Sequence, residues 1–422
     1  MRALLWYRND LRLEDHRILS SIASEAEVLL CVFVDNPDTY RVTDLGFPKT
    51  GAHRRRFLLQ TLAELDQQLR SLGQRLLVAE GQPAAVIRTL CQEHNITHVY
   101  CSREVTTEEL QDEAAVADAI SPLPLHRFWD RTLIHPADLP FHIDNLPDVF
   151  TSFRKAVEKR WSVRPMYPRP TVLPAPPAMD FPEVSSVAMP QECGAFPFSG
   201  GPTSAMRHLH DYIHTRQLIR TYKDTRNGLI GAEYSSKFSP WLSVGSLSPR
   251  TIYYAVREHE ATYGANDSTY WLIFELLWRD FFLFTAARHG AVLFHRWSLR
   301  GEGPVWRRDR DAFDHWRNGT TGDDFVDANM RELFATGWMS NRGRQNVASY
   351  LSKTLGIDWR WGAAWFESML LDYDPCSNYG NWAYVAGVGN DPRSSYRVFN
   401  TQKQAETYDA DGAFRRLWLE GA

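Results

Sequence analysis

The chain has 422 residues, 44% of them hydrophobic and 23% charged, and its net charge is −4. Such a composition is typical of globular proteins, and the length exceeds one typical core, so we predict two domains. A net charge of −4 excludes a uniformly basic protein, one whose whole surface would attract nucleic acid. Because residues 205–422 carry 26 basic against 25 acidic side chains, and residues 1–204 carry 21 against 26, any DNA binding must use a local basic patch on the second half.

Neither secretion nor membrane insertion is indicated. The N-terminus carries Arg2 and Arg8 and lacks the long apolar core of a signal peptide. The most apolar later stretch, 271–284, is interrupted by charged residues, so no membrane span is expected. The five cysteines show no CxxC spacing, which argues against a metal site or a disulfide framework and favours a reducing, cytoplasmic location.

Residues 1–131 alternate short apolar runs with amphipathic segments. Strands are predicted over 3–7, 28–34, 75–79 and 98–102, and helices over 51–72, 83–94 and 106–120. This alternation predicts an α/β domain with a doubly wound, Rossmann-like parallel sheet. No GxGxxG follows the first strand and no GxxxxGK[ST] occurs, so the domain is neither a standard dinucleotide-binding domain nor a P-loop domain.

Residues 132–204 form a predicted connector, since ten prolines fall between Pro165 and Pro202 and exclude regular helix or sheet there. One short helix is predicted near 148–160. Residues 205–422 form a predicted helical domain, with helices near 205–221, 249–260, 269–289, 323–335, 341–355 and 361–371 and an irregular segment over the last fifty residues. A helical domain of this size can enclose a cofactor.

Four polar clusters in the helical domain could carry chemistry, and the first lies within 222–242. Ser235, Ser236, Lys237 and Ser239 precede a predicted helix start. Hydroxyls, a cation and unpaired N–H groups at a helix N-terminus can form a phosphate cradle. The alternative is a plain N-cap beside a solvated lysine.

The second cluster is Glu275, Trp278 and Arg279, whose spacing puts the three side chains on one helical face. A carboxylate, an indole and a guanidinium can together hold a flat base by stacking and hydrogen bonds. An intrahelical ion pair beside a core tryptophan is the competing interpretation.

The third and fourth clusters are expected to meet. The third consists of three polar residues on one helical face, Asn341, Arg344 and Gln345. A buried arginine needs a partner, which Asp372 or Asp374 of the fourth cluster could supply. Asn378 would then be left to face a ring.

The motifs resemble those of the photolyase and cryptochrome flavoproteins, and within that family those of the cryptochrome DASH branch, along essentially the whole chain. They are WYRNDLRLEDH (6–16), PDVFTSFRK (147–155), YKDTRNG to YSSKFSPWL (222–242), GWMSNR (337–342), DYDPCSNYGNW (372–382) and NTQKQAETYDADG (400–412). The resemblance implies an α/β antenna domain, a long connector and a helical FAD-binding domain.

The resemblance also implies where FAD binds, in a bent form with its adenine near the ring system. The ribose and phosphates would lie near Tyr222, Ser235, Ser236, Lys237, Phe238 and Ser239. Arg344 and Asp372 would form an ion pair under the ring, Asp374 would lie on the adenine and ribose side, and Asn341 would also contact the cofactor. Asn378 would face flavin N5 and influence which redox state is stored.

Twelve of the fifteen tryptophans follow residue 204, and burial in the core is the simplest interpretation of most of them. Three match the family's electron relay from the flavin to the surface, Trp382, Trp359 and Trp306. Short hops between indoles outpace one long hop because tunnelling falls steeply with distance. Trp316, Trp361 and Trp365 are assigned to packing.

The implied activity is blue-light-driven repair of cyclobutane pyrimidine dimers by electron transfer, with the damaged pair flipped out of the stack. The lesion would contact Glu275, Trp278, Arg279, Asn341, Arg342, Gln345 and Tyr384. Relatives that repair duplex DNA carry Met and Trp where this chain has Gln345 and Tyr384, so we expect preference for single-stranded or looped DNA. Repair of the (6-4) product needs a histidine beside the flavin, but position 340 is Ser and no histidine follows His315.

The chain also carries candidate residues for a light-harvesting antenna, and its partners and rival functions can be predicted. Glu108 and Glu109 fall near an acidic contact of the family's methenyltetrahydrofolate antenna, although an exposed pair that begins a helix is the alternative. We expect a monomer that binds single-stranded DNA carrying a dimer. One rival is a signalling photoreceptor, which commonly has a longer C-terminal extension than this chain shows; the other is a nucleotide-binding transferase with a helical cap.

Overall fold

A computed structural model describes residues 1–185, 187–188, 194–391 and 398–420. Its first part is a five-stranded parallel sheet in the order β3-β2-β1-β4-β5, with β1 Arg2–Tyr7, β2 Val28–Asp35, β3 Leu76–Glu80, β4 His98–Ser102 and β5 Leu125–Phe128. The four predicted strands are confirmed to within a residue or two at each end. The fifth was missed, because it lies at the sheet edge, is only half buried and lacks a continuous apolar run.

Helices cover both faces of the sheet, which is the predicted doubly wound arrangement. They are α1 Arg17–Ile22, α2 Ala52–Arg70, α3 Pro83–Glu93 and α4 Thr107–Ile120. The short α1 was not predicted, since six residues are too few to show a helical period. Apolar side chains on the two sheet faces form separate cores.

The predicted helix of the connector is α5, Phe150–Lys159. The described residues between α5 and the next helix contain neither helix nor strand, as the prolines require.

The remaining helices build the second half. They are α6 Pro202–His210, α7 Tyr222–Thr225, α8 Ser239–Ser243, α9 Pro249–Tyr263, α10 Asp267–His289, α11 Arg310–Arg317, α12 Asp324–Thr336, α13 Asn341–Ser349, α14 Trp359–Met369, α15 Pro375–Ala386, α16 Thr401–Tyr408 and α17 Ala413–Leu419. A helix lies in each of the six segments predicted as helical, although α6 and α13 are shorter than predicted, because residues 211–215 and 350–354 that follow them are π-helical. No described helix is long and apolar enough to cross a membrane.

The expectation of an irregular final segment is wrong, since three of these helices lie in the last fifty residues. α15 is rich in Gly, Asn and Tyr, which are poor helix formers, but Asp374 caps it, Pro375 begins it and Gly387 ends it in the left-handed region. Packing then overrides propensity: a Cβ on Gly380 would come within 2.3 Å of Phe282 on α10, so only glycine permits this close approach.

A buried ion network joins the sheet to the helical half. Arg250 of α9 donates to Asp15 at 2.8 Å and to Asp130 at 2.6 Å, and Arg12 also donates to Asp130 at 3.1 Å. All four side chains are at most 6% exposed. Charges this dry are stable only when fully paired, so the network fixes how the two halves meet.

Candidate functional site

Three adjoining chambers open within the helical half, and Arg279, Asn341 and Ser377 border all three. The inner chamber, with about 860 Å³ of empty space, is lined by α13, α14 and α15; the side chamber, with about 990 Å³, lies along residues 235–239; and the mouth, with about 1310 Å³, lies between α10 and α15. Because they share these wall residues, the three chambers are parts of one cavity.

An ion pair between a partly exposed guanidinium and a buried carboxylate lies where the inner and side chambers meet. Arg344 contacts Asp372 at 2.9 Å and donates from Nε to the Met339 carbonyl at 2.9 Å, and the Ser239 hydroxyl donates to Asp372 at 2.7 Å. The other carboxylate oxygen of Asp372, Oδ1, is buried and has no partner among the described residues. An unpaired buried acceptor on a cavity wall is the feature expected where a ligand donor completes the site.

Asp374 caps α15 and is a second anchored carboxylate of the inner chamber. It receives the Ser377 N–H at 2.8 Å and contacts Arg131, which directly precedes the connector, at 2.8 Å. Burial alone would raise the pKa of Asp374, but Arg131, Arg279 and the Ser377 N–H together hold it below its ordinary value. The carboxylate is therefore ionised and fixed in position.

The predicted phosphate segment lines the side chamber. Its wall includes Tyr222, Ser235, Ser236, Lys237, Phe238 and Ser239. The backbone carbonyl of Ser236 is held by a 2.9 Å hydrogen bond to His208, and Phe238 is 2% exposed and packs against Tyr212. Residues 235–239 thus form a fixed wall, with serine side chains available to a polar guest.

Lys237 corrects the expectation of a solvated lysine, since its side chain is buried. A left-handed φ of 55° directs the chain inward, and Nζ lies 3.2 Å from the ring centre of Tyr234 and 4.5 Å from that of Trp338. Lys237 is 2% exposed, and burial lowers its pKa well below the ordinary value. Glu332, a buried acid that sequence patterns did not reveal, has its pKa raised to about 8 by burial, despite the opposing effect of Lys237.

Asn378 and Trp382 line the inner chamber from one face of α15. The Asn378 amide donates to the Ala363 carbonyl at 3.0 Å, which fixes its rotamer. The Trp382 ring edge lies against α14, because a Cβ on Gly362 would fall 2.2 Å from it. Trp382 also leaves its indole N–H without a partner among the described residues.

The other two tryptophans predicted for the relay lie on or near α14, the helix that the Trp382 ring also approaches. Trp359 is on the same helix as Gly362, and both Trp359 and Trp306 donate their indole N–H to the Arg296 carbonyl at 3.0 Å, so their rings are neighbours. Trp306 is 4% exposed and lies just beneath the surface, not at it as expected. Trp316, assigned to packing, is indeed fully buried, but its ring centre is 6.1 Å from that of Trp382.

The mouth has an aromatic wall and a charged wall. Trp278 lies 6.0 Å from Tyr384, edge to face, and stacks on Phe150. Glu275 forms an ion pair with Arg226, which sequence reasoning did not single out, and burial raises the pKa of Glu275. Each of these residues except Phe150 lines the mouth.

Of the predicted lesion contacts, Arg342 is placed differently from the rest. Gln345 and Asn341 line the mouth, whereas Arg342 lines none of the three chambers. Its guanidinium donates to Asn227 and Gln345 at 3.1 Å and lies 4.5 Å from the ring centre of Tyr408 on α16. Arg342 therefore fastens the C-terminal helices, and only its neighbours face the cavity.

Arg279 occupies the junction of the chambers and is strongly dehydrated. It donates to the backbone carbonyls of Arg131 and, at 3.3 Å, of Leu242. Burial and the nearby charge of Arg131 lower its pKa, yet an arginine stays protonated, so it brings a positive charge to the cavity.

The two antenna candidates lie apart from the cavity, at the start of α4. Glu108 is exposed and pairs with Lys49, whereas Glu109 accepts from the Thr106 hydroxyl. Burial and the neighbouring Glu104 raise the pKa of Glu109. The two thus differ: Glu108 behaves as a surface pair, and Glu109 is the sheltered carboxyl.

Comparison with known proteins agrees with this architecture. The family described as DNA photolyase matches residues 3–177, and the family described as the FAD binding domain of DNA photolyase matches residues 271–421. The cryptochrome DASH of Gloeobacter violaceus is 49% identical over 425 residues, which cover 99% of this chain and 85% of that protein.

Solved structures give the same result. The Synechocystis cryptochrome structure has a TM-score of 0.95 and 46% identity and is matched over 99% of this chain and 88% of that one. A class III photolyase from Agrobacterium tumefaciens has a TM-score of 0.84 and 28% identity, over 99% and 86% of the two chains. The cofactor of the helical half is FAD, and the residues of the cavity fit it. Among the described residues, a buried oxygen of Asp372 has no partner, an arginine pairs with that carboxylate, and serines line one wall, all of which suit a large polar ligand.

Proposed function

The chain belongs to the photolyase and cryptochrome family, in its cryptochrome DASH branch, and from this premise we propose that it repairs cyclobutane pyrimidine dimers in single-stranded or looped DNA. It is a blue-light-driven FAD protein, and the proposal concerns its substrate. The observation that carries it is the continuity of the cavity. The inner chamber opens through Arg279, Asn341 and Ser377 into an aromatic mouth, so a base in the mouth would lie next to the cofactor.

FAD, when bound, supplies the light absorption and the one-electron transfer that splits the dimer. The protein supplies position and charge. The Arg344–Asp372 pair would lie under the ring, with Asp372 Oδ1 accepting a hydrogen bond, and Asn378 would hold N5 through its amide. Ser235 and Ser236 would donate their hydroxyl hydrogens to the phosphates, while Ser239, whose hydroxyl donates to Asp372, and Lys237, whose Nζ lies over the Tyr234 ring, would line the same wall.

In the mouth, Trp278 and Tyr384 would stack the flipped pyrimidines, while Glu275 and Gln345 would hydrogen-bond their edges. Arg279 would bring a positive charge close to the place where the dimer gains an electron. Tyr384 and Gln345 are more polar than the apolar groups that hold a lesion drawn from a duplex. A lesion that the mouth binds weakly gains too little binding energy to offset the cost of unpairing a duplex. DNA that is already single-stranded is therefore the better substrate.

Trp382, Trp359 and Trp306 would return the cofactor to its reduced state in light. The order is supported by Trp382 on the chamber wall and by the carbonyl that Trp359 and Trp306 share. All three are buried, so each would be oxidised in a dry environment, away from competing reactions.

A methenyltetrahydrofolate antenna is proposed for the first half, with Glu109 as the better candidate contact. Its carboxyl is sheltered and is not consumed by an ion pair with a basic side chain, whereas Glu108 is paired with Lys49. A cytoplasmic monomer is proposed as well. The four described cysteines, Cys31, Cys91, Cys101 and Cys376, are buried and unpaired, which suits a reducing compartment.

The test compares two forms of one dimer-bearing oligonucleotide, single-stranded and annealed to its complement. With the flavin-loaded chain under blue light, we expect rapid dimer loss in the single strand, slow loss in the duplex and none in the dark. Equal rates in both forms would contradict the strand preference. No loss in either would contradict repair and favour the signalling photoreceptor.

A further inference from the structure

Trp278 at the mouth does not stand alone, because its ring is stacked on a residue of the connector. The ring centres of Trp278 and Phe150 are 3.7 Å apart and their planes differ by 12°. This is the closest aromatic pair among the described residues. One face of the indole is therefore covered, and only the remaining face and edge can meet a guest.

Phe150 is itself held rigidly. It is 4% exposed, and edge-on rings of α10 surround it: Phe274 at 5.1 Å and 84°, and Phe281 at 5.7 Å and 70°. Because Phe150 does not line the mouth, it cannot touch DNA there. Its effect on a guest must pass through Trp278.

Helix α5, which carries Phe150, is tied to α10 at its other end. Arg154 donates to the Tyr270 hydroxyl at 2.6 Å, and that hydroxyl donates to Glu158 at 2.6 Å. The loop before α5 is tied to the far side of the mouth, since Asn390 donates to the Asp148 carbonyl at 2.8 Å. The connector is thus braced on both sides of the cavity entrance.

We infer that Phe150 is a positioning residue for lesion capture: it fixes the Trp278 indole in the one orientation that stacks a flipped pyrimidine. The inference rests on the proposed function. An indole free on both faces could rotate or insert between bases, whereas one backed by a ring offers a single flat platform. A preorganised platform costs less ordering on binding, so Phe150 contributes affinity and discrimination without contact.

The experiment measures, in the dark, the dissociation constant of the flavin-loaded chain for a single-stranded oligonucleotide with one dimer and for its undamaged counterpart. Because stacked aromatic pairs contribute modest energies, Phe150→Leu should weaken dimer binding about three- to tenfold and leave undamaged binding nearly unchanged. Dimer loss per absorbed photon at saturating oligonucleotide should equal that of the wild type. FAD content and melting temperature report folding, and Phe150→Met replaces the leucine variant if FAD is lost.

Two comparisons separate positioning from general loosening. Phe153→Leu makes the same change on the same helix. Its ring contacts Phe281, Phe284 and, at 6.2 Å, Phe150, but not Trp278, so it should lower dimer affinity much less than Phe150→Leu does. In a Trp278→Leu background, Phe150→Leu should have no further effect, since the coupled partner is gone.

Unchanged affinity in Phe150→Leu, an equal loss in Phe153→Leu, or an undiminished loss in the Trp278→Leu background would each overturn the inference. A wild type that binds damaged and undamaged strands alike would instead contradict the proposed function. Binding by the wild type thus distinguishes a failure of the proposed function from a failure of the role of Phe150.

Discussion

At the scale of single residues, the site depends on buried polar atoms whose partners come from distant segments. Arg344 on α13 meets Asp372 before α15, and Asp374 meets Arg131 directly before the connector. The Arg344–Asp372 pairing was one of two that the sequence allowed, and geometry selects it. Arg131, Arg226 and Glu332 escaped prediction, because nothing in a local pattern shows which charged residue will be buried.

Trp382 is the residue through which the relay would reach the chamber. Trp382→Phe should slow photoreduction severalfold, because phenylalanine is much harder to oxidise, while repair by chemically pre-reduced protein should stay close to that of the wild type. Transient absorption and dimer-loss assays measure the two effects. Trp365→Phe, a buried packing residue on α14 that contacts Phe47, is the control and should change neither. A large loss of repair in the pre-reduced test would show that the role is misassigned.

Glu332 gives a prediction of pH dependence. Burial raises its pKa to about 8 from the ordinary 4.5, so the folded state holds this proton where the unfolded chain releases it. Its contribution to stability is fully present below pH 4.5 and is lost as the pH rises through about 8. Glutamine imitates the protonated acid, so the melting temperature of Glu332→Gln relative to the wild type should rise between pH 6 and pH 9.

The control for that series is Glu302→Gln, at an exposed position. Its melting temperature should follow the wild type at every pH. A constant difference between Glu332→Gln and the wild type over the same range would mean that Glu332 is not protonated in the folded state.

At the scale of elements, helices and strands with strong apolar periodicity were predicted from the sequence, and those stabilised mainly by caps and tertiary packing were missed. Four strands and the long helices were anticipated from apolar spacing, whereas β5, α1, α7, α11 and the last three helices were not. α15 shows the reason: its residues are poor helix formers, and its stability comes from caps and from Gly380 packed on Phe282. The aromatic wall was half predicted, since Trp278 was named and Phe150, which lies 128 positions earlier, was not.

Asp280 shows how α10 is attached to the connector. Its two carboxylate oxygens accept the N–H groups of Leu133, at 3.0 Å, and Ile134, at 2.8 Å. In Asp280→Asn, an NH₂ group replaces one carboxylate oxygen and faces one of these backbone N–H groups, so two donors meet. An unsatisfied buried N–H costs about 1–3 kcal/mol. Denaturant titration should show a loss of that size in the free energy of unfolding.

The matched control is Asp267→Asn, which makes the same change at the exposed start of α10, where the carboxylate pairs with Lys223. Its free energy of unfolding should change by less than about 1 kcal/mol. If the two variants lose the same stability, Asp280 does not anchor the helix.

At the scale of the whole molecule, the two halves are joined by buried charge. Arg250→Met leaves Asp15 without its guanidinium and removes one of the two that serve Asp130. Loss of one partner from a buried pair costs about 3–5 kcal/mol. Calorimetry should show a much lower melting temperature, and limited proteolysis should cut the connector sooner.

Arg257→Met, on the same helix, is the comparison, since Arg257 is exposed at the surface, where it pairs with Glu260 and lies over the Tyr253 ring. It should cost no more than about 1 kcal/mol. Indistinguishable melting of the two variants would contradict a structural role for the network.

One flavin, held tightly in the helical half, would serve both the tryptophan relay and the DNA-facing mouth. The visible absorption spectrum of the purified chain, recorded before and during blue illumination with an external reductant, tests this arrangement. We expect flavin bands that stay with the protein through gel filtration and bleach in the light. A colourless chain to which added FAD restores neither bands nor bleaching would contradict it.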